Sequence, residues 1–181
     1  MFDLERFIDD CVRARRETDT QRALCDVMKQ AVAAPGAIVD ALGEPKEAGF
    51  KALYESDDLT ILNFTWSPMM TLMPHDHNMW AVIGLFAGRE DSILWKRKDK
   101  TIEACGAKSL ASGDVGALGP SAIHSVTNPT GKLTSALHIY GGNFFAPGRS
   151  EWDPETLEER PFDFDKSRRI FREENQRFAN Q

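Results

Sequence analysis

The sequence predicts a mainly β protein, an antiparallel sandwich or jelly roll with a helical N-terminal segment and a C-terminal helix. From about residue 49 the apolar residues repeat with a period of two, in roughly nine short segments separated by turn residues. These segments are rich in β-branched and aromatic residues, and no helical pattern interrupts them, which excludes alternating β-α-β units. Helical spacing of apolar residues is confined to the two ends of the chain.

The N-terminal segment, residues 1–45, is predicted to contain three helices. The first follows Asp3, a plausible N-cap, and the second starts near Asp19. A short third helix opens near Pro35 and closes at Gly43, since proline suits a first helical turn and glycine suits a helix end.

The remaining elements follow in order along the chain. Residues 49–145 form the predicted barrel, and residues 160–181 return to a helical pattern in which Ile170, Phe171 and Phe178 lie among charged residues. No internal repeat or low-complexity linker divides the sequence. We therefore expect residues 1–181 to form a single domain.

Charge and cysteine content exclude several classes of partner. The net charge of −6 without a basic stripe argues against nucleic acid or an anionic membrane surface. The three cysteines are too scattered for a disulfide framework, and the N-terminus lacks the pattern of a signal peptide. We expect a cytoplasmic protein, and the sequence leaves its oligomeric state open.

Two of the four histidines, His75 and His77, stand two positions apart in the segment "MPHDHN". In a strand both side chains would project from one face, where two imidazoles can reach one metal ion at about 2.0–2.2 Å. The alternative is a pair of polar residues on a solvated strand face. A third histidine, His124, begins another predicted strand after glycine-rich turns and a proline, and it favours the metal site.

This combination resembles the cupin superfamily, whose first motif carries H-x-H and ends in a glycine, here Gly88. Its second motif runs from a glycine through a proline-containing turn to a histidine and then an asparagine. The residues that match it are Gly113, Pro120 (one place later than usual), His124 and Asn128. The resemblance implies a cupin double-stranded β-helix barrel in which His75, His77 and His124 ligate a metal.

The sequence departs from common cupins in one respect. They carry a glutamate four or five residues after the second histidine, where this chain has Ala81 and Val82. The site is then three neutral imidazoles, with Asp76 expected on the opposite face. Fe(II) there would suit an anionic chelating substrate and O₂, whereas zinc would favour hydration or hydrolysis, and the ligands alone do not separate the two.

The fourth histidine, His138, stands two positions before Tyr140 in the segment "LHIYG", so that both would share a strand face. A buried tyrosine beside an imidazole can hold or protonate a bound oxygen, although the pair could also be structural. With the other motifs, residues 49 to 152 resemble the cysteine dioxygenase family, which are thiol dioxygenases with a three-histidine Fe(II) site. Of that family's Ser-x-His-x-Tyr triad, Ala136 replaces the serine.

The cysteine dioxygenase resemblance implies oxidation of a small thiol carboxylate, 3-mercaptopropionate or cysteine, to its sulfinate with O₂. Arg149, nine residues after Tyr140, matches the substrate-binding arginine of the bacterial mercaptopropionate-type enzymes. In the animal enzymes the substrate-binding arginine lies on an early strand, and Lys51 is at the comparable position of this chain. A surface salt bridge of Arg149 with Glu151 or Asp153 is the structural alternative.

Two other classes of function stay open from the sequence. One is a cupin hydrolase or isomerase that uses zinc, nickel or manganese. The other is a non-catalytic, metal-dependent binder of a small anion, for which Ala136 in place of the triad serine gives some support.

Overall fold

The computed structural model describes residues 1–180. Its helices are α1 (Leu4–Ala14), α2 (Thr20–Val32), α3 (Pro35–Leu42) and α4 (Phe164–Ala179). As predicted, the side chains of Asp3 and Asp19 cap α1 and α2, and Pro35 opens α3. No helix in the described part of the chain is long and apolar enough to cross a membrane.

The strands occupy the middle of the chain. They are β1 (Gly49–Glu55), β2 (Thr60–Trp66), β3 (Thr71–Asp76), β4 (Ala81–Ala87), β5 (Arg89–Lys98), β6 (Thr101–Ala111), β7 (Val115–Leu118), β8 (Ile123–Thr127), β9 (Thr134–Tyr140), β10 (Ser150–Trp152) and β11 (Glu159–Pro161). Neighbouring strands all pair antiparallel.

The strands form two sheets, in the orders β1-β2-β9-β4-β7 and β11-β10-β3-β8-β5-β6. The chain crosses between the sheets so that β2, β4, β7 and β9 of one sheet face β3, β5, β6 and β8 of the other, which is the winding of a jelly roll. Side chains from the two inner faces, including Leu62, Phe64, Leu72 and Leu85, fill the space between them. The prediction of a mainly β jelly roll is confirmed.

The first sheet is buried on both faces, which explains the unbroken apolar run of β4. On its outer face Ile61, Val82 and Ile139 pack against the helices α1 to α3. A side chain at Gly84 would meet Met28 of α2 at 2.4 Å, so glycine is required where this helix crosses β4. The N-terminal helices thus close the back of the barrel and lie away from its interior.

The C-terminal part of the chain differs from its predicted bounds. Strands β10 and β11 extend the second sheet beyond residue 145, and α4 begins at Phe164, behind the N-cap Asp163, rather than at residue 160. Residues 159–161 are held by pairing with β10 across the connection 153–158, and strands of three residues are too short to show an alternating pattern in the sequence. Residue 181, the predicted end of the helix, lies outside the described residues.

Helix α4 covers the open end of the barrel. Phe171 packs against Phe50, Phe64 and Trp66, with ring centroids 5.5 to 6.5 Å apart. Lys166 forms an ion pair of 2.5 Å with the buried Glu151, which lies opposite His75 in the pairing of β10 with β3. The C-terminal segment therefore forms one wall of the barrel interior next to the histidines.

Candidate metal centre

Strand pairing brings the three predicted ligands together. His75 of β3 and His124 of β8 lie directly opposite each other, and His77 follows the end of β3. The ligand atoms of all three lie within 4.8 Å of one another, and each residue is at most 4% exposed. This group of histidines can hold a metal ion.

The hydrogen bonds of His75 and His124 leave one ring nitrogen of each available to ligate an ion. His75 Nδ1 lies 2.9 Å from the carbonyl oxygen of Met73, so it carries the proton and Nε2 keeps its lone pair. His124 Nδ1 lies 3.4 Å from Ser92 Oγ, while its buried Nε2 has no hydrogen-bond partner among the described residues. A buried ring nitrogen without a hydrogen-bond partner, within a cluster of imidazoles, fits a divalent cation.

Burial also keeps the three imidazoles neutral. Desolvation lowers the pKa of His75 and His77 well below the ordinary value, and it lowers the pKa of His124 to about 4. Neutral imidazole is the form that ligates a metal.

Within residues 1–180 the cluster contains no carboxylate. Asp76, between two of the ligands, is turned away: its Oδ1 accepts the backbone N–H of Ser150 at 2.8 Å. Burial raises the pKa of this carboxyl. The site is therefore a three-histidine site, and Asp76 supports the neighbouring backbone.

These pKa shifts predict an acid-sensitive apoprotein. Unfolded histidines take up protons near pH 6.5, whereas the buried ones resist protonation, His124 down to about pH 4. Because the unfolded state binds more protons in this window, stability falls as the pH drops from 6.5 toward 4, by up to about 1.4 kcal/mol per pH unit for each histidine.

Urea unfolding of metal-free protein between pH 4.5 and 7.5 measures this slope. Replacing His124 with glutamine should reduce it by about one proton, since one shifted group is removed. An equal slope in both proteins would contradict the assignment of the acid sensitivity to this cluster.

Next to the histidines lies a second buried polar pair. His138 Nδ1 and Tyr140 Oη are 2.9 Å apart, and the Tyr140 ring packs edge-on against His77 at 4.9 Å. Burial raises the pKa of Tyr140 above its usual range, so the phenol stays protonated. Ala136 is fully buried, and the neighbouring Ser135 faces away, bonded to Thr65.

The two cations predicted to bind a substrate carboxylate lie in different environments. Arg149 is 5% exposed and lines the same cavity as the histidines. Lys51 is exposed on β1, where its neighbour Phe50 takes the cavity-facing position. Neither alternative salt bridge of Arg149 is formed, because Glu151 pairs with Lys166 and Asp153 pairs with Arg160.

Arg149 is held as a buried cation with one unused donor. Its Nε and Nη1 donate to the carbonyl oxygens of Asp76 and Phe144 at 2.9 and 3.2 Å, while Nη2 has no partner in residues 1–180. The guanidinium lies 4.2 Å from the centre of the Phe162 ring. Desolvation lowers its pKa to about 10, so it remains charged at neutral pH.

The cavity between these groups is small and mostly aromatic. The volume open to the centre of a water molecule is about 20 Å³, where roughly 10–15 Å³ is needed for one water. Its lining includes Phe64, Trp66, Phe144, Phe162 and Phe164 besides the polar residues. A site of this shape favours small ligands over large ones.

The sequence did not predict two parts of this site. One is the C-terminal wall formed by Phe162, Phe164 and Ser167, which depends on the long-range placement of α4. The other is Glu90, a carboxylate 1% exposed near His138. No alternation in the sequence marks it, because the buried Glu90 and Ser92 of β5 are polar, whereas the neighbouring Ile93 is apolar and exposed.

Fold and site together define a jelly roll with a three-histidine metal site, and known structures agree with the fold. A Bacillus halodurans protein has 16% identity, a TM-score of 0.51, and coverage of 58% of this chain and 77% of its own. A cupin-family protein with a double-stranded β-helix fold from Methanocaldococcus jannaschii has 10% identity, a TM-score of 0.47, and coverage of 56% of this chain and 86% of its own. A variant of Bacillus subtilis oxalate decarboxylase has 14% identity, a TM-score of 0.45, and coverage of 57% of this chain and 27% of its own.

No family model matches the chain. At these identities the likeness to solved structures is one of fold alone, and the fold of this chain is a jelly roll of two antiparallel sheets. Its activity has to be argued from its own residues.

Proposed function

We propose that this protein is a thiol dioxygenase that uses Fe(II) to oxidise a small thiol carboxylate, such as 3-mercaptopropionate or cysteine, to its sulfinate. The observation that carries the proposal is that an unpaired Arg149 and a three-histidine group line one small cavity. Fe(II) held by His75, His77 and His124 would supply the coordination of thiolate and O₂. In the overall reaction, RSH and O₂ give RSO₂H.

The arginine supports an anionic substrate. A buried cation with a free N–H donor is stabilised by an anion, and a guanidinium matches a carboxylate better than other anion-binding side chains do. Because Arg149 and the histidines line one small cavity, a short chain has to join the carboxylate to the thiol. 3-Mercaptopropionate and cysteine meet this requirement, since each has two carbons between the carboxylate and sulfur.

The tyrosine and His138 support a thiol as the reacting group. A thiol that binds as a thiolate must release its proton. The Tyr140 ring packs on His77, and its Oη lies 2.9 Å from His138 Nδ1, which can accept the phenol proton when it carries none itself. The pair can therefore take up the thiol proton at Tyr140 Oη while the phenol proton moves to His138 Nδ1.

O₂ consumption tests the activity. Protein reconstituted anaerobically with Fe(II) is mixed with O₂ and either 3-mercaptopropionate, cysteine or cysteamine, and the sulfinate is measured by mass spectrometry. We expect uptake with at least one carboxylated thiol and a ratio of one O₂ per sulfinate. Absence of thiol-dependent uptake with all three would overturn the proposal.

Replacing Tyr140 with phenylalanine is expected to keep the metal and to slow turnover about 10²-fold, within the range typical of a lost general acid or base. The variant removes one oxygen atom and leaves the ring that packs on His77. Metal content and kcat should be measured on the same preparation. An unchanged kcat would remove the hydroxyl from the mechanism.

The non-catalytic alternative rests on the same arginine, since a buried cation beside a metal would also retain a small anion without reaction. A rise in Tm with 3-mercaptopropionate, without O₂ uptake or product, would favour this binder. A hydrolase or isomerase would instead be indicated by zinc, nickel or manganese in protein purified without added metal.

A further inference from the structure

Glu90 is a buried carboxylate that contacts the tyrosine–histidine pair from behind. It lies at the start of β5, on the inward face shared with Ser92, and it is 1% exposed. Its Oε2 accepts the indole N–H of Trp66 at 2.9 Å. The same oxygen lies 3.7 Å from Nε2 of His138.

Each of the two side chains keeps one polar atom without a hydrogen bond. His138 Nε2 and Glu90 Oε1 are both buried and have no hydrogen-bond partner within the described 180 residues. A buried carboxylate and a buried imidazole nitrogen both lose hydrogen bonds to water, so each requires a compensating interaction. The Glu90 carboxylate is the charged group that lies next to Nε2, with Oε2 at 3.7 Å.

The neutral imidazole of His138 can carry its proton on either nitrogen, and the two tautomers interact differently with the Glu90 carboxylate. With the proton on Nδ1, a bare lone pair at Nε2 would face the carboxylate oxygen, which is repulsive. With the proton on Nε2, the positive end of an N–H bond lies next to the carboxylate, whose Oε2 is 3.7 Å from Nε2, and Nδ1 is left as an acceptor for the Tyr140 hydroxyl. The carboxylate therefore favours the second tautomer.

We propose that Glu90 is a positioning residue that holds the proton of His138 on Nε2, so that Nδ1 accepts the hydroxyl proton of Tyr140. Glu90 thus occupies the end of the relay where Ala136 supplies no hydroxyl. Trp66 fixes the carboxylate by its indole N–H. The tautomer is independent of any reaction, and only its effect on rate rests on the proposed thiol dioxygenase function.

Nuclear magnetic resonance of ¹⁵N-histidine-labelled protein, with Zn²⁺ added as a diamagnetic ion, reports the tautomer directly. The His138 signals are assigned by their loss in His138→Gln. We expect the wild-type protein to carry the proton on Nε2 of His138. A proton on Nδ1 in the wild type would overturn the proposal, whatever the variants do.

Two variants separate the carboxylate from simple packing. Glu90→Gln keeps an amide oxygen that can accept from Trp66 and His138, so the tautomer should persist. Glu90→Leu removes the acceptor, and the proton should move to Nδ1 or divide between the two nitrogens. An unchanged tautomer in Glu90→Leu would contradict the proposal. Glu103→Leu, a glutamate on β6 paired with Lys96 and Lys98, is the control and should alter nothing at His138.

Turnover gives the second measurement. Because Glu90 acts through His138 and Tyr140, Glu90→Leu should slow kcat in the wild-type background and have little further effect in Tyr140→Phe. Additive losses would indicate a general structural role and contradict the proposal. If no thiol is oxidised by the wild-type protein, the proposed function fails, while the tautomer measurement still decides the role of Glu90.

Discussion

Replacing His124 with glutamine is expected to abolish metal binding and with it all turnover. His124 Nε2 is buried in the three-histidine group without another hydrogen-bond partner in the described chain. Glutamine keeps similar length but supplies no imidazole nitrogen, and the site holds no carboxylate within residues 1–180 that could take its place. Loss of one ligand should weaken binding by more than the roughly 10- to 100-fold typical of residues that only support a ligand.

His138→Gln is the matched control for this experiment. It is the one histidine outside the group, and it is as buried as the ligands, at 2% exposed. We expect this variant to retain the metal and to lose turnover, because it removes the partner of Tyr140. Metal analysis of both proteins after dialysis against a weak chelator gives the comparison. Equal metal content in His124→Gln and wild type would exclude the assigned site.

The histidines show how much of a site a sequence can predict. His75 and His77 are close in sequence, and strand geometry predicts that they share a face, although a solvated pair would show the same spacing. His124 is distant, and it was placed by its resemblance to a second motif. The structure explains that motif by the pairing of β3 with β8, which sets the two histidines opposite each other. Local periodicity predicts strands, whereas the pairing of distant strands needs the whole fold.

Asn128 of the same motif illustrates a residue whose role only the structure explains. It is fully buried, and its side-chain amide donates to the carbonyl oxygens of Trp66, Ser67 and Lys132. Its Oδ1 accepts from Thr134 Oγ1 at 3.0 Å. The asparagine therefore orders the loop between β8 and β9. It forms no hydrogen bond with His124, the histidine of the same motif.

The parts of the site that the sequence does not predict escape prediction for different physical reasons. Phe162 and Phe164 reach the cavity because β11 forms a short hairpin with β10 and α4 folds over the barrel. The three-residue strands are too short to show a pattern, and the packing of α4 joins residues that are distant in the sequence. Glu90 was overlooked because a charged residue beside a turn is usually solvated. Here it faces inward, and Trp66 and His138 surround it. A buried charge in an inward strand position should therefore be examined as part of a site.

Replacing Arg149 with methionine is expected to raise KM for carboxylated thiols about 10- to 150-fold, the equivalent of the roughly 1.5–3 kcal/mol of a charge-assisted hydrogen bond. Methionine fits the aromatic surroundings formed by Phe144, Phe162 and Phe164 but carries no charge. KM for cysteamine, which has no carboxylate, should change little. Metal content should stay at the wild-type level, since Arg149 contacts none of the ligand nitrogens by hydrogen bond.

Two further variants make the arginine experiment specific. Arg149→Lys keeps the charge without the planar fork of donors, so it should recover part of the lost affinity. Lys51→Met removes the exposed cation on β1 and should leave both KM values unchanged. If Arg149→Met affects cysteamine and 3-mercaptopropionate equally, the arginine supports the fold of the cavity instead of binding a carboxylate. If KM in Arg149→Met rises only for the carboxylated thiols, and Lys51→Met leaves both KM values unchanged, the buried Nη2 of Arg149 is the group that selects the substrate.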